Sequence, residues 1–123
     1  MPNQEHIDVT LENAIPVLRI VNMEASLAFY VGVLGFEIEW QGEPPGGIAG
    51  LRRDDIPIML TTLDGTGSSL VWIGTSDIRP IYETLMAMTE PPEFLYPPTR
   101  NSYAFDMQVK DADGNVLWFG CGE

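Results

Sequence analysis

The chain has 123 residues, of which 45% are hydrophobic, which is enough for the core of one domain without disulfides or structural metals. Eighteen Asp and Glu against six Lys and Arg give a formal net charge of −12, which argues against a nucleic-acid partner because such binding needs clustered positive charge. No apolar run approaches the roughly 20 residues of a membrane span. The N-terminal residues lack the basic and apolar regions of a signal peptide, and a lone Cys121 excludes an internal disulfide. The sequence therefore predicts a cytoplasmic protein of one domain without a membrane or nucleic-acid partner.

The first half of the chain predicts one helix and four strands after a loose arm formed by residues 1–13. Asn22 is a favourable N-cap for the helix, and Gly35 is placed to end it in the left-handed conformation. Strict alternation after Gly35 puts Trp40 on one strand face together with Phe36 and Ile38. The predicted elements are a strand over Ala14–Val21, a helix over Asn22–Leu34, and strands over Phe36–Trp40, Ile48–Arg53 and Ile56–Leu63.

After a break at residues 64–67 the same order of elements returns. Ser76 or Asp77 can cap a second helix that has Pro80 in its first turn, and Asp113-Gly114 is a strong hairpin signal. The predicted elements are a strand over Leu70–Gly74, a helix over Asp77–Met88, and strands over Phe94–Tyr96, Ser102–Lys110 and Asn115–Phe119. The chain thus predicts an α+β fold of two βαβββ modules, at about residues 14–63 and 68–120.

Two segments, Ile15–Phe36 and Lys110–Gly120, resemble the glyoxalase/bleomycin-resistance/extradiol-dioxygenase superfamily, also called vicinal oxygen chelate. The first segment has the pattern of a strand, a capped helix that ends at a glycine, and a second strand. The second segment has the pattern of a turn followed by a buried strand. The resemblance covers residues 14–120 and implies that curled antiparallel or mixed sheets enclose a concave cavity. It also implies a homodimer in which modules from two chains close the groove. We expect the short polar arm before Ala14 to help by packing across the partner.

The positions that carry metal ligands in this superfamily are apolar in this chain. The resemblance places them at Ile15, Met59, Leu70 and Trp118, none of which can ligate a hard divalent cation. The single histidine, His6, lies in the predicted arm. We therefore expect no metal and no cofactor, as in the bleomycin-resistance branch, whose members are acidic and sequester a cationic antibiotic in dimer grooves. Those proteins often carry a Trp-Gly pair before the penultimate strand, where this chain has Asn101-Ser102-Tyr103.

Seven residues are candidates for binding a ligand. Arg19 matches an arginine that binds a substrate carboxylate in glyoxalase-type relatives, although a structural ion pair explains it equally well. The aromatic candidates suit a flat or cationic ligand through stacking and cation–π attraction, or they belong to the core. Asp106 can serve as a buried acid or base, or play a structural part. The candidates are Arg19, Trp40, Met59, Trp72, Tyr103, Asp106 and Trp118.

The sequence leaves three classes of function open. The first is a metal-free homodimeric protein that binds a small cationic or aromatic compound such as an antibiotic, and the acidic composition suits such a ligand as well as it suits solubility alone. The second is a lyase, isomerase or dioxygenase of the same superfamily whose metal or acid/base residues, such as Glu37 and Glu39, lie at unusual positions. The third is a protein–protein interaction module with exposed edges at Pro91-Pro92 and Pro97-Pro98.

Overall fold

The computed structural model describes residues 7–42, 47–63 and 67–122 and contains two four-stranded mixed sheets. The first sheet has the order β1-β4-β3-β2 and the second has the order β5-β8-β7-β6. These α+β modules confirm the predicted pair of βαβββ units. The strands are β1 (Val17–Arg19), β2 (Glu37–Gln41), β3 (Ile48–Arg53), β4 (Ile56–Thr61), β5 (Leu70–Gly74), β6 (Phe94–Arg100), β7 (Phe105–Lys110) and β8 (Val116–Cys121). The helices are α1 (Met23–Leu27), which continues as a π-helical segment over Ala28–Val33, and α2 (Arg79–Met86).

Each sheet has one face packed into a common core and one face turned away from it. In each module the first strand runs parallel to the last, and the other pairs are antiparallel. Strand residues alternate between the faces, so the core takes Leu18 and Leu60 from the first sheet and Met107 and Leu117 from the second, all at most 1% exposed. We call the opposite side of each sheet its open face. The open faces carry Val17, Arg19, Trp40, Gly50 and Met59 in the first sheet, and Leu70, Trp72, Asp106, Gln108, Trp118 and Gly120 in the second.

The first helix begins and ends as the sequence predicts. The Asn22 side chain accepts a hydrogen bond from the Ala25 amide at 2.9 Å, and Gly35 has a φ of 81°. Between these ends the helix widens, because the Leu34 amide donates to the Phe29 carbonyl five residues earlier at 3.0 Å. The second helix is shorter than predicted, and the Asp77 carboxylate accepts from the Arg79 amide at 3.0 Å just before it starts.

The prediction that Trp40 shares a face with Ile38 is wrong. Ile38 pairs with Leu51 and Trp40 pairs with Gly50, so β2 has one more residue than β3 over this stretch. Such a bulge reverses the alternation beyond it and moves Trp40 to the open face. The additional residue, Glu39, forms an ion pair with Arg52 at 2.9 Å, which favours its water-facing interpretation over a catalytic one.

Two predicted strands in the second module were too short. β6 continues through Pro97 and Pro98 to Arg100, because it is an edge strand and its two register irregularities accommodate residues without an amide hydrogen. β8 continues to Cys121, so this thiol is buried in the last strand and does not follow it. β7 in turn starts at Phe105, three residues later than predicted.

A buried hydrogen-bond network, which we call the Asp111 hub, joins the two modules. The Asp111 carboxylate accepts from the Tyr30 hydroxyl at 2.8 Å and from the amides of Asp113 and Asn115 at 2.9 Å. The Asn115 side chain donates to Asp111 and to the Arg19 carbonyl and accepts from the Ser69 amide. The Asp-Gly turn of the second module is thereby tied to β1, to the first helix and to the start of β5, with Gly114 at a φ of 87°.

Some predictions lie outside the described residues: His6, most of the Glu43–Gly47 turn and most of the break at 64–67. Within the described ranges, no helix is long and apolar enough to cross a membrane.

Candidate functional site

The open face of the second sheet brings together four of the seven predicted site residues: Trp72, Tyr103, Asp106 and Trp118. Parallel pairing sets Trp72 beside Trp118, and antiparallel pairing sets Asp106 beside Gly120. A Cβ atom added at Gly120 would stand 2.1 Å from Cη2 of Trp72. The indole of Trp72 therefore lies flat on the sheet in the space that a side chain at position 120 would fill.

Asp106 is held as a carboxylate by donors that surround it. It accepts hydrogen bonds from Trp118 Nε1 at 2.6 Å, from Asn101 Nδ2 at 2.5 Å and from the Tyr96 hydroxyl. Burial by itself would raise the pKa of this carboxyl, but the hydrogen bonds from Trp118, Tyr96, Asn101 and Tyr103 together hold the pKa below its usual value. Asp106 is 0% exposed, so its negative charge at neutral pH is shielded from water.

Burial and the hydrogen bond to Asp106 raise the pKa of Tyr96 well above its usual value. The Tyr96 hydroxyl is consequently a fixed proton donor at any physiological pH. It serves to hold the carboxylate and is not suited to act as a base.

Three aromatic rings stand at right angles beside this carboxylate. The rings of Trp72 and Trp118 are 5.0 Å apart with an interplanar angle of 88°, and those of Tyr103 and Trp118 are 6.2 Å apart at 89°. Trp72 is 48% exposed and Tyr103 is 63% exposed, so both have ring surface available to a ligand. We call this group, Trp72, Tyr103 and Trp118, the aromatic corner.

Trp72 and Tyr103 of the aromatic corner line a groove of about 800 Å³, a volume typical of sites for small molecules, whereas Trp118 and Asp106 lie behind them and outside its lining. Trp72, Tyr103, Ala104 and Gly120 form its wall on the second sheet. Charged groups in the lining are the carboxylates of Asp54, Asp55 and Asp77 and the guanidinium of Arg53, which donates to the Leu34 carbonyl at 2.6 Å. The groove thus combines aromatic and apolar side chains with carboxylates, of which Asp54 is paired with Arg53 at 3.7 Å and Asp77 with Arg79 at 3.0 Å.

The other three predicted residues, Arg19, Trp40 and Met59, lie on the open face of the first sheet and do not line this groove. Met59 pairs with Val17, and Arg19 pairs with Thr61. Trp40 lies over Gly50, where an added Cβ would stand 2.2 Å from Nε1 of the indole. In both modules, therefore, a tryptophan side chain lies on a glycine of a neighbouring strand. The two strands are β2 and β3 in the first module and β5 and β8 in the second.

The side chains at the superfamily's metal positions do not fit a metal ion. Ile15 and Leu70 have no donor atom, Met59 has only a soft thioether, and the Trp118 nitrogen carries a proton that it donates to Asp106. Among the residues described, no three His, Cys, Asp or Glu side chains are grouped as a metal site requires. No chemical step through a metal can be derived from these side chains.

Sequence reasoning missed several residues of the site. The sequence does not identify Tyr96 and Asn101 as partners of Asp106. The register irregularities of β6 and the turn at residues 101–104 determine that these two side chains reach the Asp106 carboxylate. Asp54 and Asp55 lie in the short turn between two predicted strands, and nothing local to them indicates that this turn borders a groove.

Comparison with known proteins places the chain in a family. A profile of the Glyoxalase/Bleomycin resistance protein/Dioxygenase superfamily matches residues 6–119, and the protein belongs to this superfamily. Functionally curated proteins give no match.

Solved structures share the fold over nearly the whole chain. The bleomycin-binding protein from bleomycin-producing Streptomyces verticillus, solved with copper(II)-bleomycin, is 28% identical with a TM-score of 0.70, over 94% of this chain and 99% of that one. TnmS3, an antibiotic binding protein from Streptomyces sp. CB03234, is 16% identical with a TM-score of 0.73, over 96% and 100%. TioX from Micromonospora sp. ML1 is 16% identical with a TM-score of 0.73, over 90% and 100%. The last two likenesses concern the fold alone.

Proposed function

We propose that this protein is a metal-free, homodimeric small-molecule-binding protein that sequesters a cationic or aromatic compound such as an antibiotic. The observation that carries the proposal is the groove of about 800 Å³ whose wall includes Trp72 and Tyr103 beside the buried Asp106. The side chains at the superfamily's metal positions favour binding over metal chemistry. The bleomycin-binding protein from Streptomyces verticillus, at 28% identity, supports an antibiotic as one class of ligand.

A second copy of the chain suits the surfaces that one copy leaves exposed. On the open faces Trp40 is 44% exposed and Leu70 is 60% exposed, which is costly for a monomer in water. In the arm, Ile7, Val9 and Leu11 alternate with polar residues and are 83%, 63% and 90% exposed. This alternation is typical of a strand with one buried side, so we propose that the arm packs across the partner and that the open faces of two copies close the site. Within each copy, residues 14–63 and 68–120 form one cytoplasmic domain, and Arg19, Met59 and Trp40 belong to the same site as the aromatic corner.

A thermal-shift screen tests this function. Cationic antibiotics and aromatic metabolites are added with and without divalent metals, and a ligand at 100 times its dissociation constant adds about 2.7 kcal/mol of stability. We expect stabilisation that is independent of metal, fewer than one equivalent of zinc, iron, manganese or nickel in the purified protein, and a melting temperature unchanged by chelator. A stoichiometric metal ion required for ligand binding would contradict the proposal and favour an enzyme of the superfamily. Sedimentation equilibrium should give twice the mass of the chain.

A further inference from the structure

We propose that the aromatic corner binds a quaternary ammonium group, with the buried Asp106 carboxylate as its counter-charge. This inference rests on the proposed small-molecule function and names the chemical class of one group of the ligand. It combines the ring geometry, the near-saturation of the carboxylate by donors, and the charge of the adjoining groove.

The rings provide surfaces that attract a cation. The faces of indole and phenol rings are electron-rich, and a cation within about 6 Å of a ring centroid is attracted to them. Trp72 and Tyr103 each stand nearly perpendicular to Trp118, so neither ring is stacked flat on it and their faces point in a different direction from that of Trp118. A flat heteroaromatic ligand favours parallel ring surfaces, whereas a rounded cation contacts perpendicular walls simultaneously.

Asp106 makes these walls more attractive to a cation. Trp118 Nε1 donates to the carboxylate at 2.6 Å, and a hydrogen bond to an anion shifts electron density towards the indole ring. The negative charge lies in a covered position, where water screens it less than at an exposed site. The groove beside the rings adds the carboxylate of Asp55, whereas Asp54 and Asp77 are paired with Arg53 and Arg79.

The hydrogen bonds to Asp106 decide which kind of cation fits. A carboxylate offers about four lone-pair positions. Tyr96 and Trp118 both donate to Oδ2, and Asn101 donates to Oδ1, so three of these positions are taken. A primary ammonium would need acceptors for its three N–H groups and would find at most one free on Asp106. A methylated ammonium has no N–H group, so this nearly saturated carboxylate attracts its charge without leaving a donor unpaired.

Direct binding measurements test this assignment. Calorimetric titrations use tetramethylammonium, choline, methylammonium and 3,3-dimethyl-1-butanol, which is the uncharged counterpart of choline. We expect saturable binding of tetramethylammonium and choline, with methylammonium and the neutral alcohol about five- to thirty-fold weaker than choline. Equal affinity for choline and the neutral alcohol, or for choline and methylammonium, would overturn the proposal. Co-sedimentation with phosphatidylcholine vesicles identifies a lipid head group as the source of the ammonium, whereas binding of free choline alone identifies a soluble metabolite.

Matched variants locate the site. Trp72→Leu should weaken choline binding about five-fold or more, because it removes one wall. Met86→Leu is the control, since Met86 is similarly exposed at 47% and lies on α2, outside the lining of the groove. It should leave choline affinity unchanged, and an equal loss in both variants would overturn the location. Asp106→Asn should also weaken choline. Circular dichroism checks its fold, and the Trp72 pair keeps the test decisive if this variant does not fold.

The outcome separates this inference from the proposed function. If antibiotics from the screen bind but neither tetramethylammonium nor choline does, the ammonium assignment is wrong and small-molecule binding stands. If a catalytic metal is found, the proposed function is wrong, and the choline titrations still decide what the aromatic corner binds.

Discussion

The substitution Gly120→Ala tests the geometry of the aromatic corner with a single methyl group. The new Cβ would lie 2.1, 2.7 and 2.9 Å from Cη2, Cζ3 and Cζ2 of Trp72, far inside van der Waals contact. Because these atoms belong to a side chain that is 48% exposed, the indole can swing away from the sheet while the backbone of β8 stays in place. We therefore expect a folded variant whose Trp72 no longer stands beside Trp118.

The cost follows from the contacts that the ring loses. An indole buries up to about 250 Å², and about half of that is at stake for Trp72, or about 3 kcal/mol at about 25 cal/mol per Å². The perpendicular pair with Trp118 contributes about 0.5–1.5 kcal/mol more, and the displaced ring recovers part of its contact elsewhere. The expected loss in the free energy of unfolding is about 1–3 kcal/mol.

Urea unfolding followed by far-ultraviolet circular dichroism measures this loss, and the near-ultraviolet spectrum should lose the signal of the coupled Trp72–Trp118 pair. Gly122→Ala is the control, because its Cβ would meet nothing within 4 Å and its stability should match the wild type. Gly50→Ala displaces Trp40 instead, so it should lower stability but leave that tryptophan-pair signal unchanged. A Gly120→Ala protein with wild-type stability and spectrum would refute the placement of Trp72 on the strand.

Three further predictions concern the carboxylate and its surroundings. Replacing Trp118 by Ala should weaken ligand binding by about 1–3 kcal/mol in calorimetry, with Glu90→Gln as a surface control that changes little. Because the pKa of Asp106 is lowered in the folded state, its stabilisation is present above the unfolded value of about 4 and is lost as pH falls through the folded pKa. Asp106→Asn should therefore be less stable than the wild type at pH 7, and the difference should shrink in urea titrations at pH 3. If the difference persists at pH 3, the carboxylate charge is not its cause. Burial and the nearby Asp111 raise the pKa of Tyr30, so folding keeps this phenol protonated while the unfolded chain ionises above about pH 10. Wild-type stability should fall there by up to about 1.4 kcal/mol per pH unit more steeply than that of Tyr30→Phe, and parallel slopes would exclude Tyr30 as the cause.

The sequence predicted the order of the elements because their signals are local. Asn22 and Gly35 fix the first helix through short-range backbone chemistry, and both act as predicted. Trp40 was assigned to the wrong face because a bulge depends on how β2 meets β3, and alternation within one strand carries no information about its neighbour. β6 likewise continues through Pro97 and Pro98 because it lies at the edge of its sheet, and the sequence of one strand does not reveal that position.

The sequence predicts individual residues of the site but not the hydrogen bonds that join them. Alternation predicts that Asp106 shares a strand face with Gln108, and in the structure this face is the open face that also carries Trp118. That Trp118 donates to Asp106 depends on two strands lying side by side, and Asn101 joins them through a turn with no signature of its own. The division of the predicted residues between two sheets is set by the topology.

The Asp111 hub explains why the resemblance carried by the Asp-Gly turn indicates architecture better than activity. Asp111 and Asn115 use their side chains to join β1, the first helix and β5, and none of these hydrogen bonds reaches the open face of the second sheet. The turn can therefore stay unchanged while the open faces exchange metal ligands for aromatic rings. The turn therefore marks the scaffold of this chain, whereas the residues that now occupy the open faces, such as Met59 and Trp118, determine which chemistry that scaffold can support.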